Sequence, residues 1–437
     1  MSGVADSRLY KAGPWPRGIS NATEEGVLPL NDFGTRPIAL RDAVNVTLTA
    51  NGTPARRDGA TNVATVSLGH SLWSDVKLPF GLFVDGGVLH ALHPGGERIS
   101  LSYDVGNLPI SYALVNDRVF FTSPAGCGQV TMDLVVQAWA PAAPDGQPVV
   151  AAATGGTLAK GTYQVAVTFV DDVGRESGST LATAVDVEDD GAISVAAIPQ
   201  PPAGWRVNIY CTTASDGVLR LFNTLVPGIL GLNISAPPAG RPLLTQFLEA
   251  LPAGHIVRFG HGRQWVARGN ELLWSEPLRY GQFNPASHRM RFDGEIELLE
   301  PLGDGGPGAG VFVCANNRTY WLDGADPAEF RQRIVAHEGA VPGSSWREDG
   351  LAFGRETNDT VVLWLSRKGT FRLGTPGGGV TDPNPTALVD DADRAAVLRR
   401  TGPGLEHLVV ALRAPQAQTA AAADTCVTYH VPAAMKQ

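Results

Sequence analysis

Histidines, cysteines and clustered carboxylates are the side chains with which a protein ligates a metal, moves a proton or attacks an electrophile. This sequence holds nine histidines and four cysteines and keeps them apart. Cys127, Cys211, Cys314 and Cys426 follow one another at intervals of 84, 103 and 112 residues. None belongs to a Cys-x-x-Cys or Cys/His group of the kind a tetrahedral zinc site draws on, so they read as buried thiols of a reducing compartment. His90 and His93 flank the end of an apolar run, and His255 and His261 bracket Arg258 and Phe259. Either pair would need a third ligand, and no spacing marks one. Two carboxylates across a glycosidic bond are the machinery of a glycosidase. The acidic groups here, Asp171-Asp172, Glu188-Asp189-Asp190 and Asp390-Asp391, fall instead among turn residues. The glycine-rich run DGGPGAG at 304–310 lacks the Lys-Ser/Thr of a phosphate loop, and no helix pattern follows it. No GxSxG, HExxH or calcium-loop motif is present. The expectation is a non-enzyme with no catalytic, cofactor-binding or metal-binding residue.

Six arginines cluster along one stretch: Arg258, Arg263, Arg268, Arg279, Arg289 and Arg291. They make either a basic stripe or a set of ion pairs with neighbouring strands, and the second is the more common arrangement. The 34 basic and 43 acidic residues leave a net charge of −9. That balance argues against gripping phosphates, but suits a surface that DNA slides past without sticking. No run approaches the length of about 18 apolar residues that would cross a bilayer. MSGVADSRLYKAGPWPRG at the start has no apolar signal core.

The elements that carry these residues read as strands. Residues 265–277, WVARGNELLWSEP, run apolar, turn at Gly269-Asn270, and leave through Leu272-Leu273-Trp274 into a polar stop. Residues 112–124 (YALVNDRVFFTSP) and 312–324 (FVCANNRTYWLDG) match them position by position, turning at Asn116-Asp117 and Asn316-Asn317. Asn/Gly/Asp pairs between apolar runs are strong hairpin signals. Looser copies are LWLSRKGTFRLG at 363–374 and VLHALHPGGERISLSY at 88–103. Trp265 to Phe312 is 47 residues and Phe312 to Leu363 is 51. A period of roughly 40–50 with repeated hairpins is that of a β-propeller.

Tyr112 to Trp265 is 153 residues, which leaves room for an insertion. The linker-like APAAPDGQPVVAAATGG at 140–156 opens it. Tyr163, Val165, Val167 and Phe169 then alternate toward one side, with turns at residues 171–174 and at Asp190-Gly191. The expected fold is all-β: a β-propeller with an inserted immunoglobulin/fibronectin-like β-sandwich. Its divisions are an irregular docking segment at 1–57, a first propeller part at 58–139, the sandwich at 140–238, and the remaining propeller with a C-terminal tail at 239–437. Residues 325–337, 241–251 and 415–426 are short stretches that could form helix.

LRDAVNVTLTANGTPARRDG at 40–59 leads from an Asn-bearing strand (Asn45) through Asn51-Gly52 to Arg56-Arg57-Asp58-Gly59. SLGHSLWSD at 67–75 and ARGNELLWSEPLRYGQFNP at 267–285 follow in order. Together with the period and the insertion, this order resembles the tail nozzle (tail tubular) proteins of short-tailed bacteriophages. That group includes packaged-DNA stabilisation proteins of the P22 type, and the likeness runs loosely over residues 20 to 410. It implies a virion protein assembled in the host cytoplasm as a homohexameric ring below the portal and tail adaptor. Double-stranded DNA would pass through the ring and be retained there, with residues 304–310 a candidate gate. Needle, spikes or tail fibres would dock on it, with no membrane partner and no cofactor. Two other classes fit the same β content: a tail-tip or baseplate protein of a long-tailed phage, and a carbohydrate-binding or glycan-hydrolysing propeller.

Overall fold

A computed structural model describes residues 62–353, 355–383, 392–402, 405–413 and 425–430, with residue 40 and the stretches 46–48 and 53–56. The chain forms two compact units, one of Ala64–Phe292 and one of Met1–Val63 with Asp293–Gln437. Among the described residues the regular structure is all strand apart from two 3-10 turns, and every ladder is antiparallel. A small hairpin, β1 (Val46–Leu48) with β2 (Pro54–Arg56), belongs to the second unit.

In the first unit, four-stranded meanders recur. One is β3 (His70–Ser74), β4 (Gly81–Asp85), β5 (Val88–Leu92) and β6 (Arg98–Asp104). The next is β7 (Ser111–Val115), β8 (Arg118–Ser123), β9 (Gly126–Val130) and β10 (Val136–Gln137). After an insertion described below, β19 (Glu249–Ala250) precedes β20 (Ile256–Gly260), β21 (Arg263–Arg268) and β22 (Glu271–Trp274). β23 (Gln282–Phe283) pairs with β19, and β24 (Arg289–Arg291) completes the third meander beside β22. The second unit continues with β25 (Ile296–Leu302), β26 (Gly310–Ala315), β27 (Arg318–Asp323) and β28 (Arg331–Ala336). Then come β29 (Trp346–Asp349), β30 (Thr360–Leu365), β31 (Phe371–Thr375) and β32 (Gly379–Thr381). A three-stranded sheet of β33 (Arg394–Gly402), β34 (Leu405–Arg413) and β35 (Thr425–His430) ends the series. A four-stranded antiparallel meander is the topology of a propeller blade.

Successive sheets within a unit pack face to face, and this explains the apolar doublets. On β8, Val119 and Phe121 join Leu82, Val84 and Tyr112 in one core, while Phe120 turns the other way to Val257, Val266 and Leu273. On β30, Val362 and Trp364 meet Phe312 and Trp321, while Val361, Leu363 and Leu365 meet Leu408 and Val410. A central strand buried on both faces needs consecutive apolar residues, not alternation. Each large side chain so buried contributes about 2–3 kcal/mol.

The hairpin turns form for a local reason. Asn116-Asp117 and Asn316-Asn317 all hold positive φ, between 47° and 58°, as the tight hairpin turn matching strand twist requires. Gly269 does the same at φ 58°. The copies are not in phase, however. Gly269-Asn270 and Asn316-Asn317 join second to third strands, whereas Asn116-Asp117 joins a first to a second. The segment 88–103 is a third-to-fourth connection; the second-to-third hairpin of that sheet turns at Gly86-Gly87. Counted by first strands, the sheets begin at 70, 111, 256, 296 and 346, intervals of 41, 145, 40 and 50.

The long interval holds two further sheets. β11 (Val149–Leu158), β15 (Gly191–Ala196) and β18 (Leu232–Ile234) form one. β12 (Gly161–Val170), β13 (Glu176–Ser179), β14 (Thr183–Val187), β16 (Arg206–Cys211) and β17 (Arg220–Leu225) form the other. Leu158, Ile193, Val195 and Ile234 from the first face Tyr163, Val165, Val167, Phe169, Val207 and Ile209 from the second in one core.

The three stretches considered for helix differ from expectation. Residues 327–329 make a single 3-10 turn, after which β28 pairs with β27. Its six residues satisfy their backbone through the sheet ladder. Residues 241–243 run beside the start of β17, and residues 249–250 form β19. Residues 415–424 lie outside the described residues, and Thr425–His430 is strand.

Candidate functional site

Among the described residues, those singled out for chemistry do not converge. His255 and His261 sit beyond opposite ends of β20, about 20 Å apart at the usual rise of a strand. His90 is buried, stacks on Phe83 at 5.3 Å and faces the Arg98 guanidinium. Burial first, then the Arg98 charge, push its pKa below the ordinary histidine value. Glu188 pairs with Lys160 at 2.6 Å, and Asp390-Asp391 lie outside the described residues. Among the described residues, no group of three His, Cys, Asp or Glu is arranged to hold a metal ion. Cys127, Cys211 and Cys314 are free thiols, which burial pushes up to about 11, 12 and 12 respectively.

The arginine cluster is divided among partners. Arg258 Nη1 donates to Ser111 Oγ at 2.9 Å, Arg263 Nη1 to the Ser275 carbonyl at 2.9 Å, and Arg291 Nε to Glu271 at 2.8 Å. The Trp274-Ser275-Glu276-Pro277 segment is built the same way. Trp274 is buried and stacks on His288. Ser275 Oγ accepts from the Gln264 backbone N–H at 2.9 Å. Pro277 leads to Leu278, whose φ is +57° and which is 78% exposed. Residues 304–310 form a compact turn, and the Gly308 carbonyl accepts from Gly377 N–H at 2.7 Å.

The most developed polar assembly joins the inserted pair of sheets to the adjoining strands of its unit. Asp171 is buried, and its Oδ1 accepts from the backbone N–H groups of Val173 and Arg175. Its Oδ2 takes Arg175 Nε at 2.7 Å. Arg175 Nη1 then reaches across to the carbonyls of Ala138 (3.1 Å) and Trp139 (3.0 Å). Glu176 Oε1 accepts from Thr168, Asn208 and Tyr210, while Oε2 meets Arg241 at 3.1 Å. The Tyr210 phenol is pushed up to about 12, by burial first and then by Glu176. The Glu176 carbonyl accepts from Gln282 Nε2 at 2.6 Å. A Cβ on Gly178 would meet the Leu248 carbonyl oxygen at 1.8 Å, so backbone passes against backbone here. Four neighbouring residues, 171, 175, 176 and 178, thus clamp the insertion. The sequence marks residues 171–174 only as a turn; the i,i+4 Asp-Arg pair is the one local sign of the clamp.

No family model matches the chain, and no curated protein matches it. Solved structures do. BBS1N in complex with ARL6DN is similar over 81% of this chain and 93% of its own, at 12% identity and a TM-score of 0.32. Hsv2 of Kluyveromyces lactis is similar over 76% and 86%, at 9% identity and a TM-score of 0.28. BamB from Moraxella catarrhalis is similar over 83% and 86%, at 10% identity and a TM-score of 0.27. At such identities and scores these likenesses carry no weight for function.

Proposed function

We propose that this chain is a structural tail protein of a short-tailed bacteriophage, a nozzle subunit whose six copies ring the DNA path below the portal and adaptor. The carrying observation is the run of blade-type sheets, packed face to face in each unit and interrupted after the second by a clamped insertion. In this reading the meander sheets of each unit are propeller blades. The same reading takes the insertion as an immunoglobulin-type sandwich, and the pairing of β11–β15 and β12–β16–β17, like that of the B–E and C–F–G neighbours of that fold, supports it. A net charge of −9 suits a conduit that must release DNA. Identical subunits close a ring through head-to-tail contacts, and residues 20–60, largely outside the described residues, join that ring or dock it on its neighbour. Negative-stain microscopy of purified protein, alone and mixed with tails lacking it, tests the proposal. Rings of six seated on tails support it; a monomer that hydrolyses a glycan overturns it.

A further inference from the structure

Strand edges left unpaired recruit other strands, and proteins usually shorten, charge or cover them. Four edge strands among the described residues have seven residues or more: β6, β11, β25 and β33. β6 carries Arg98 and Asp104, β25 carries Glu297 and Glu300, and β33 carries Arg394, Arg399 and Arg400. β11, VVAAATGGTL, carries no charge and no proline. At the far edge of the other sheet, residues 240–243 cover the first two residues of the shorter β17, through hydrogen bonds between Leu221 and both Gly240 and Arg241. β11 pairs with β15 on one side and with no described strand on the other.

The usable edge is Val149–Thr154, where the register with β15 is unbroken. Val149 is 60% exposed, and Ala151, Ala152 and Thr154 are exposed as well. Six residues present roughly three N–H and three C=O groups outward at a spacing that only another extended chain matches. The edge ends at Thr154, opposite Gly191, beside the exposed acidic turn of Glu188, Asp189 and Asp190, of which Lys160 offsets one charge. The clamp at residues 171–178 lies on the other sheet, so the insertion is held while no described strand pairs with this edge.

We infer that the free edge of β11 accepts an extended strand of a partner protein, paired antiparallel along Val149–Thr154 with a basic residue at its N-terminal end beside the acidic turn. An antiparallel arrival brings that end next to Thr154, and small apolar or hydroxyl side chains suit the alanine-rich run. The inference goes beyond the tail reading and does not depend on it, because the edge belongs to the isolated chain.

The test uses the full purified chain and a synthetic peptide of one lysine followed by alternating threonine and valine. Hydrogen exchange across residues 149–154 should slow by roughly tenfold with the peptide present. A version with prolines at alternate positions should give no slowing, since proline removes the ladder donors. The doubly substituted variant Ala151→Lys/Ala152→Lys should lose the effect while keeping its thermal midpoint, because both positions are exposed. No slowing, equal slowing with the proline peptide, or indifference to the lysines overturns the inference. So does self-association abolished by the same lysines, which would make a second copy the occupant. All four outcomes are read without rings or tails, so they stand or fall apart from the proposed function.

Discussion

Removing Arg175 tests whether the inserted sheets are clamped or merely tethered. In Arg175→Ala, Asp171 keeps the backbone N–H groups of Val173 and of residue 175 but loses the guanidinium. The Asp171 side chain is 1% exposed and that of Arg175 30%. Stripping one partner from a fully buried pair costs about 3–5 kcal/mol. The retained N–H bonds and the exposed side of the guanidinium lower this to about 2 kcal/mol. The carbonyls of Ala138 and Trp139 lose their donor as well, for about 1 kcal/mol more. A total near 3 kcal/mol is expected, read as the shift in urea unfolding of the unit that contains residues 64–292. Arg175→Lys should recover only part of it, because an ammonium cannot span carboxylate and carbonyls as the guanidinium fork does. Hydrogen exchange should accelerate at residues 138–140 and 171–178 together, and not in the second unit. A loss below about 1 kcal/mol, or acceleration confined to residues 171–175, would refute the clamp.

Four shorter predictions follow from single sites. Gly310→Ala places a Cβ 2.3 Å from the buried Trp321 ring and 2.4 Å from the Leu322 carbonyl, so it should destabilise by about 3 kcal/mol in thermal melts. Asn116→Ala, at φ 47°, should cost about 1 kcal/mol, whereas Asn116→Gly should be close to neutral in the same melts. Asp85 is held below its ordinary pKa of 3.8 by the Leu68 N–H first, then by Ser67 and Arg98 against the opposing effect of burial. Its contribution is therefore complete above pH 3.8 and lost as pH falls through the depressed value; the melting difference between Asp85→Asn and the parent should vanish there. Cys314, buried and pushed up to about 12, should resist iodoacetamide at pH 8 until the chain is unfolded, as mass spectrometry will show.

Much of the architecture is local and therefore readable. Asn-Asp and Asn-Asn pairs dictate hairpins because few other residues tolerate positive φ. Alternation along residues 163–169 marks a strand with one core-facing side, though Ala166 and Thr168 on its other side are buried as well, and the outsized interval before Trp265 betrays an insertion. Strand phase is not local. The hairpin at 112–124 looks like those at 265–277 and 312–324 because each has the same turn chemistry, yet it occupies a different place in its sheet. What decides that place is which strand the next segment pairs with, and a turn does not carry that information. The 3-10 turn at Pro327 ends where β27 offers β28 a ladder, so sheet pairing overrides a weak helical pattern.

The pairing of charges is likewise a tertiary matter. Glu300 and Arg347 are 47 positions apart, Glu338 and Arg372 are 34, and Glu297 and Arg367 are 70. No spacing rule joins them; stacked sheets do. The arginines near residue 265 leave a stripe or separate pairs open in the sequence, and the strands hand Arg258, Arg263 and Arg291 to different partners. By itself, the sequence determined that the chain folds into hairpin-built β sheets with a second module between two of the repeats, because turn φ angles and side-chain alternation are set by neighbours in the chain. Only the tertiary structure decided which strands share a sheet, that Asp171, Arg175 and Glu176 clamp the insertion, and that no described strand pairs with the outer edge of β11, because those depend on backbone groups brought together from distant positions.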